Sequence, residues 1–381
     1  MNTYKIYAKT IDETAIKQIK EMANSPIGEN GHIRIMPDAH AGKGCVIGTT
    51  MKVTDKVCPN IVGVDIGCGV NLVKTDINFE DNLEKLDNII RNEIPFGKEV
   101  HTSERDFNFA NLRCWSKLSP EIQERAKHSL GTLGGGNHFI EAYNNGYLAV
   151  HSGSRGIGKA VADFYQNLAE KAEFNRNRNK YYEELQKVPP TERSEWVKIH
   201  QIEKASPLAY LEGKDMEDYL HDCKIMQDFA NKNRSTMLSE IIISMDGFKV
   251  IEIESIHNYI DIDSRILRKG AISAKKGEIL VIPLNMRDGI LICEGKGNNE
   301  WNCSAPHGAG RLYSRGAARK AFSVEEYAES MKGVFTTCVN EDTLDEAPFV
   351  YKDYNEIIDC IEPTVEIKER LIPIYNFKAS E

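Results

Sequence analysis

The chain has 381 residues, 41% hydrophobic and 28% charged, ordinary proportions that exclude a collagen-like or largely disordered polymer. Its 48 Lys and Arg stand against 57 Asp and Glu, a formal charge of −9 that, taken alone, speaks against nucleic acid as a partner. Nine cysteines, at 45, 58, 68, 114, 223, 293, 303, 338 and 360, are odd in number and contain no C-x-x-C pair, which excludes a disulfide framework and a zinc ribbon. No stretch approaches the roughly 18 apolar residues of a membrane span, and the opening MNTYKIYAKTID has no signal-peptide pattern, so a cytosolic protein without membrane contact is expected.

Residues 31–75 alternate short β-rich runs (HIRIM, CVIGTTMKV, NIVGVDIGCGVNLVKT) with Gly, Pro and Asn, predicting strands with loops at their ends. Helical spacing follows at 80–93, where Leu83, Leu86, Ile89 and Ile90 share a face. A second strand-rich patch covers 137–152. From Gly158 to Ile243 the pattern is helical and highly charged, with a break at Lys187–Thr191 that contains Pro189 and Pro190. Strands return at 249–262 and 278–293, and the tail beyond 323 reads as mostly helical. The predicted architecture is a single α+β domain, residues 1–381, with mixed sheets around a central cleft and a helical insertion at 158–243. No repeat or flexible linker interrupts it.

The densest chemical signal is Val64-Asp65-Ile66-Gly67-Cys68-Gly69, a carboxylate and a thiol three residues apart among glycines that allow close approach to a ligand. Three histidines sit where strands are predicted to end in polar or glycine-rich loops: His138 in Gly-Gly-Gly-Asn-His, His151 after Tyr-Leu-Ala-Val, and His257 in Ser-Ile-His-Asn-Tyr. Three imidazoles, a carboxylate and a thiolate suffice for two metal ions sharing a ligand, although spacing alone leaves their convergence open. In Cys303-Ser-Ala-Pro-His307-Gly-Ala-Gly-Arg311, small residues flank a histidine that a phosphate can approach, with Arg311 available to neutralise charge. Such an imidazole is a competent nucleophile near neutral pH. The run Gly153–Ala160 imitates a phosphate loop but carries Ala160 where a Mg²⁺-binding hydroxyl belongs, and Gly131–Gly136 lacks dinucleotide spacing.

Together the blocks MPDAHAGKG (36–44), VGVDIGCGV (62–70), LGTLGGGNHFIE (130–141), HSGSRGIG (151–158), HNY (257–259), SAPHGAGR (304–311) and VYKD (350–353) resemble, in order, the RtcB-type RNA ligases. The resemblance implies an enzyme that joins RNA ending in a 3′-phosphate or 2′,3′-cyclic phosphate to RNA beginning with a 5′-hydroxyl, using GTP and two Mn²⁺ ions. His307 would carry GMP covalently. Cys68 would bridge two metals, with His151 and His257 completing one site and Asp65 and His138 the other. Ligand softness alone points to zinc, so manganese comes from the resemblance. The GTP contacts it implies are Asn137, Glu141, Asn258, Pro283, Asn285, Met286, Gly308, Ala309, Gly310 and Lys378, and the RNA or phosphate contacts are Arg155, Arg311 and Arg315.

Two departures stand out. The chain extends past Lys378 by Ala379-Ser380-Glu381 where much of the family ends in glycine. In Pro283-Leu-Asn-Met-Arg-Asp-Gly-Ile290, Ile290 occupies a position the family fills with serine, which predicts the loss of one nucleotide contact. The rival readings are a metal-dependent phosphoesterase that opens cyclic phosphates without joining ends, and a non-catalytic RNA-end binder. A monomer is expected, working with or without an activating protein, and a metal-holding Cys68 thiolate predicts oxidative inactivation.

The charge is uneven. Residues 338–381 hold 11 acidic and 4 basic side chains, so positions 1–337 carry only −2. Residues 301–324 hold Arg311, Arg315, Arg319 and Lys320 with no acid, and 264–276 hold Arg265, Arg268, Lys269, Lys275 and Lys276 with none. Both segments are candidate phosphate-contact surfaces, the second equally a solvated face.

Overall fold

The computed structural model describes residues 4–42 and 44–379; Lys43 of the first motif block and the Ser380-Glu381 extension lie outside the described residues. In chain order, β1 (Tyr4–Ile6) and α1 (Glu13–Asn24) precede β2 (Ile33–His40), β3 (Ile47–Lys52) and β4 (Lys56–Val57). The next segment departs from expectation: Pro59 starts a short helix, α2 (Pro59–Val62), and a turn leads to β5 (Gly69–Thr75). The run NIVGVDIGC has strand composition, but Pro at the first helical position and positive φ at Gly63 and Gly67 break it. Then come α3 (Leu83–Glu93), α4 (Pro120–Lys127), β6 (Phe139–Tyr143) and β7 (Tyr147–Ser152).

The expected helical region consists of α5 (Arg155–Lys187), α6 (Arg193–Ile199), the two-residue β8 (Leu211–Glu212) and α7 (Gly213–Ser244). After it lie β9 (Lys249–Ile256), β10 (Asn258–Asp261), β11 (Ile266–Lys269), β12 (Ala271–Ser273), β13 (Ile279–Asn285), β14 (Gly289–Gly295) and β15 (Ser304–Pro306). The tail carries α8 (Arg315–Ala321), α9 (Val324–Ser330) and α10 (Tyr354–Ile361), then two strands, β16 (Val365–Leu371) and β17 (Pro373–Lys378), where more helix was expected. In Val365-Glu-Ile-Lys-Glu-Arg-Leu371, β16 buries its two ends, Val365 and Leu371, and leaves Glu366, Ile367, Lys368 and Glu369 exposed.

The mixture of helices and sheets is α+β as expected. One five-stranded sheet runs β1-β2-β3-β11-β10, and a second runs β17-β6-β7-β5-β9, antiparallel throughout. The second sheet is covered on both faces. On one, Val73, Ile140, Leu148, Val150, Tyr375 and Phe377 meet Leu86 and Ile90 of α3 and Met237, Leu238 and Ile241 of α7. On the other, Val70, Leu72, Phe139 and Ala149 meet Val281, Ile290, Ile292 and Leu371 of the three-stranded sheet β13-β14-β16. Strand periodicity of two explains why neighbours in sequence serve opposite cores. The inner half of α5 and the first half of α7 pack instead with Ile33, Ile35, Ile260 and Leu267 of the first sheet in a separate core, whereas buried positions on α5 stop at Ala169 and α6 has none.

Candidate active site

Antiparallel pairing places the start of one strand beside the end of the next. In the second sheet this collects one edge: Cys68 immediately precedes β5, His138 precedes β6, His151 sits near the end of β7, His257 follows β9, and Lys378 ends β17. Pairing of Val70 with His151 and of Phe139 with both His151 and Lys378 fixes the register. The sequence-scattered candidates therefore converge.

Cys68 Sγ lies 3.3 Å from His151 Nε2 and 3.5 Å from His138 Nε2, His151 Nε2 lies 3.3 Å from His257 Nε2, and His138 Nε2 lies 3.1 Å from Asp65 Oδ2. The Cys68, His138 and His151 donor atoms all fall within 4.8 Å of one another. Lone-pair atoms facing each other at such distances, the thiol and the three imidazoles buried and Asp65 half-buried, form a donor set that suits divalent cations. Burial pushes His151 and His257 well below the ordinary imidazole range, keeping them neutral as ligands must be. Burial and the nearby Asp65 push the Cys68 thiol up, so a cation would have to drive its ionisation. His151 Nδ1 donates to the Asn137 carbonyl at 2.9 Å, which aims Nε2 at the cluster. Burial alone would raise Asp65, but the His138 hydrogen bond and the charges of His138 and Arg155 hold its carboxyl at about 2. Gly153 is required beside it: a Cβ there would sit 2.1 Å from Asp65 Oδ1.

The cluster is clamped from behind by two adjacent residues of α7. The Asn233 carboxamide accepts from Gly131 N (2.7 Å) and Thr132 N (3.0 Å) and donates to Thr132 O and Gly153 O, tying the loop that carries His138 to the end of β7. The fully buried Arg234 donates to Gly67 O (2.8 Å), Ser152 O (2.9 Å), Asn71 Oδ1 (2.5 Å) and Glu254 Oε1 (2.6 Å). Sequence reading missed both, although polar residues on a buried helix face are an available signal.

A cleft opens beside the cluster, lined by His40, Asn137, Phe139, Glu141, His151, His257, Pro283, Leu284, Asn285, Met286, His307, Gly308, Ala309, Gly310, Arg311, Arg315, Tyr351 and Lys378. Most residues assigned to GTP by resemblance line it. Asn258 does not: its side-chain oxygen accepts from Gly270 N at 3.1 Å. Ile290 is fully buried between the two packed sheets and is also absent from the lining, so the loss of contact expected at that position does not follow from the geometry.

His307 follows β15 and its ring centroid lies 4.9 Å from that of His257, at the junction of cluster and cleft. Its Nδ1 bonds to Asp38 Oδ2 at 2.6 Å, and Asp38 is fully buried on β2. This fixes the Nδ1–H tautomer and leaves Nε2, which makes no hydrogen bond among the described residues, as the free lone pair. Asp38 and His40 belong to a motif block whose individual roles sequence reading left unassigned. Lys352, of the VYKD block, holds the Asp38 segment through Pro37 O (3.2 Å) and Ala39 O (3.3 Å).

The expected basic surfaces resolve differently. Arg268 is buried and bonded to Ser304 Oγ and Tyr259 OH, Lys269 donates to Asn60 O, and Lys275 pairs with Asp261, so these three of the five basic residues in 264–276 make structural contacts. Around His307, Arg311 and Arg315 line the cleft, but acids from the tail meet them: Arg311 bonds to Glu346 at 2.8 Å and Arg319 to Asp345 at 3.0 Å. Arg155 donates to Thr132 Oγ1 and Gly97 O on the Asp65 side of the cluster, where Lys98 and Lys159 share an open groove with it. Lys159 is exposed and pairs with Asp163, consistent with the rejection of a phosphate loop.

The family model described as "tRNA-splicing ligase RtcB" matches residues 18–114 and 109–379. The chain is 32% identical to the RNA-splicing ligase RtcB of Escherichia coli K12, over 88% of this chain and 87% of that one. Against the tRNA-splicing ligases RtcB of Nanoarchaeum equitans and Methanococcus maripaludis, identity is 25% and 24%, covering 86% and 94% of this chain and 83% and 90% of those proteins. Because the match runs through every strand that delivers a residue to this sheet edge, the chain belongs to the RtcB family.

Proposed function

We propose that the protein is a GTP-dependent RNA ligase that joins 3′-phosphate or 2′,3′-cyclic phosphate ends to 5′-hydroxyl ends. The names of its relatives support RNA ligation and a setting in tRNA or other RNA splicing. The observation that carries the reading is the His307 ring, tautomerically fixed by Asp38 and held between the imidazole–thiol cluster and the cleft. His307 Nε2 attacks the α-phosphorus of GTP and pyrophosphate leaves. Asp38 keeps the Nδ1 proton and offsets the positive charge that grows on the ring as the N–P bond forms. GMP then passes to the RNA 3′-phosphate, and the 5′-hydroxyl attacks that activated phosphate and expels GMP. A cyclic end is first opened by water to the 3′-phosphate.

Cys68, His151 and His257 would hold one divalent cation and Cys68, Asp65 and His138 a second, manganese by family resemblance. Such a pair supplies charge neutralisation and alignment for phosphoryl transfer. Arg311, Arg315 and Lys378 add fixed positive charge to the cleft.

The test is incubation with GTP labelled at the α-phosphate and Mn²⁺. An acid-labile protein–GMP adduct that disappears in His307→Ala is expected, followed by joining of two defined RNA ends. Absence of an adduct from the native protein, with cyclic-phosphate hydrolysis retained, would identify a phosphoesterase instead.

A further inference from the structure

Behind the cleft, the 3₁₀ turn Glu341–Glu346 ends on two adjacent carboxylates, Asp345 and Glu346, each only 2% exposed. Glu346 Oε1 accepts from Arg311 Nη1 at 2.8 Å and lies 3.8 Å from Arg315 Nη2. Its Oε2 accepts from the Tyr351 hydroxyl at 2.5 Å and from Lys378 Nζ at 2.9 Å. All four partners line the cleft; Glu346 itself does not. One carboxylate thus ties together side chains from the Arg311–Tyr351 bridge, the start of α8 and the end of β17. Burial would raise the Glu346 carboxyl, but Lys378, Arg311 and Arg315 hold it at about 2, so it is a permanent anion and cannot serve as a proton donor.

Building on the GTP reading above, we propose that Glu346 is the positioning residue of the nucleotide cleft. It sets the angle of the Lys378 ammonium and the Tyr351 ring toward the base and of the Arg311 guanidinium toward the phosphates. The two sides of its carboxylate serve different partners, which makes the neutral isostere informative. In Glu346→Gln the amide nitrogen must face either Arg311 or the Lys378–Tyr351 pair, and a donor then meets a donor whichever way the group turns. The reacting ring is untouched, because His307 and Asp38 make no contact with Glu346. The change should therefore appear in nucleotide affinity and selection rather than in the rate of N–P bond formation.

The experiment measures adduct formation on the full chain with Mn²⁺, varying GTP and ATP. For Glu346→Gln we expect a rise in KM for GTP of about tenfold or more, kcat within about threefold, and a fall of about tenfold in preference for GTP over ATP. Glu346→Asp, which keeps the charge on a shorter arm, should fall between. Unchanged KM and selectivity, or a loss of kcat at unchanged KM, overturns the proposal. If the melting curve shows that Glu346→Gln fails to fold, Tyr351→Phe replaces it: a KM rise of about threefold supports the proposal and an unchanged KM overturns it. No adduct from the native chain would defeat the ligase reading itself, a distinct outcome.

Discussion

Glu141 occupies the middle of β6 opposite Asn376 of β17, 2% exposed, accepting from Tyr143 OH at 2.5 Å and Asn376 Nδ2 at 2.6 Å. Burial pushes its carboxyl up to about 7, against the opposing pull of Tyr143, Lys378 and Asn376. The sign of the consequence is fixed. With the folded value above the unfolded one near 4.5, the native state binds the proton more tightly, so this group's stability is complete below about 4.5 and is lost as pH rises to about 7. The difference is on the order of 3 kcal/mol. Glu141→Gln should remove that dependence. Urea unfolding at pH 5 and pH 8 is expected to show the variant gaining about 3 kcal/mol relative to native at the higher pH. A pH-independent difference would count against the raised value. Asn376 Oδ1, buried without a partner, offers the new amide an acceptor once the Asn376 group turns over.

α7 shows how an element can be read correctly and still be undervalued. Its helical pattern was legible, but Asn233 and Arg234 were not, because apart from Glu254 their partners lie 80 to 167 residues away in sequence. The same holds for Asp38, 269 residues from His307. The metal-ligand candidates were legible because each histidine ends or precedes a β-rich run beside a glycine or polar loop. Assembly of those runs into one antiparallel sheet then did the rest. The tail strands were missed because the consecutive Lys368, Glu369 and Arg370 break the alternation that marks a strand, and helix-rich segments precede it. Arg234→Met should destabilise the fold by about 3–5 kcal/mol, since it strands half-buried Glu254, buried Asn71 and two carbonyls. Arg234→Lys, able to satisfy only part of that set, should recover a fraction. Denaturant unfolding measures both, and a cost below 1 kcal/mol for Met would show that water or rearranged side chains replace the clamp.

For the whole molecule, the −9 conceals a local arrangement. The acidic tail supplies Asp345 and Glu346 to the arginines beside His307, so the cleft is held by paired charge rather than bare positive charge. The outer end of α5 with α6 contributes nothing to the buried core past Ala169. Its stem is closed by Glu173 accepting from Ser206 N at 2.7 Å and Asn177 donating to Glu203 O at 3.2 Å. Replacing residues 178–202 with a short Gly-Ser turn should change unfolding free energy by less than about 1 kcal/mol and lower the urea m-value only slightly. A loss of cooperativity in that transition would reveal a stabilising role for the arm.

Because β17 pairs in its sheet with β6 alone among the described residues, and Lys378 and Asn376 ride on it, the cleft is closed by a strand more than 200 residues downstream of its partner. A nascent chain on the ribosome therefore has no finished cleft until residues 373–378 have emerged. Closure at such sequence separation also makes this pairing a late and comparatively slow step of maturation.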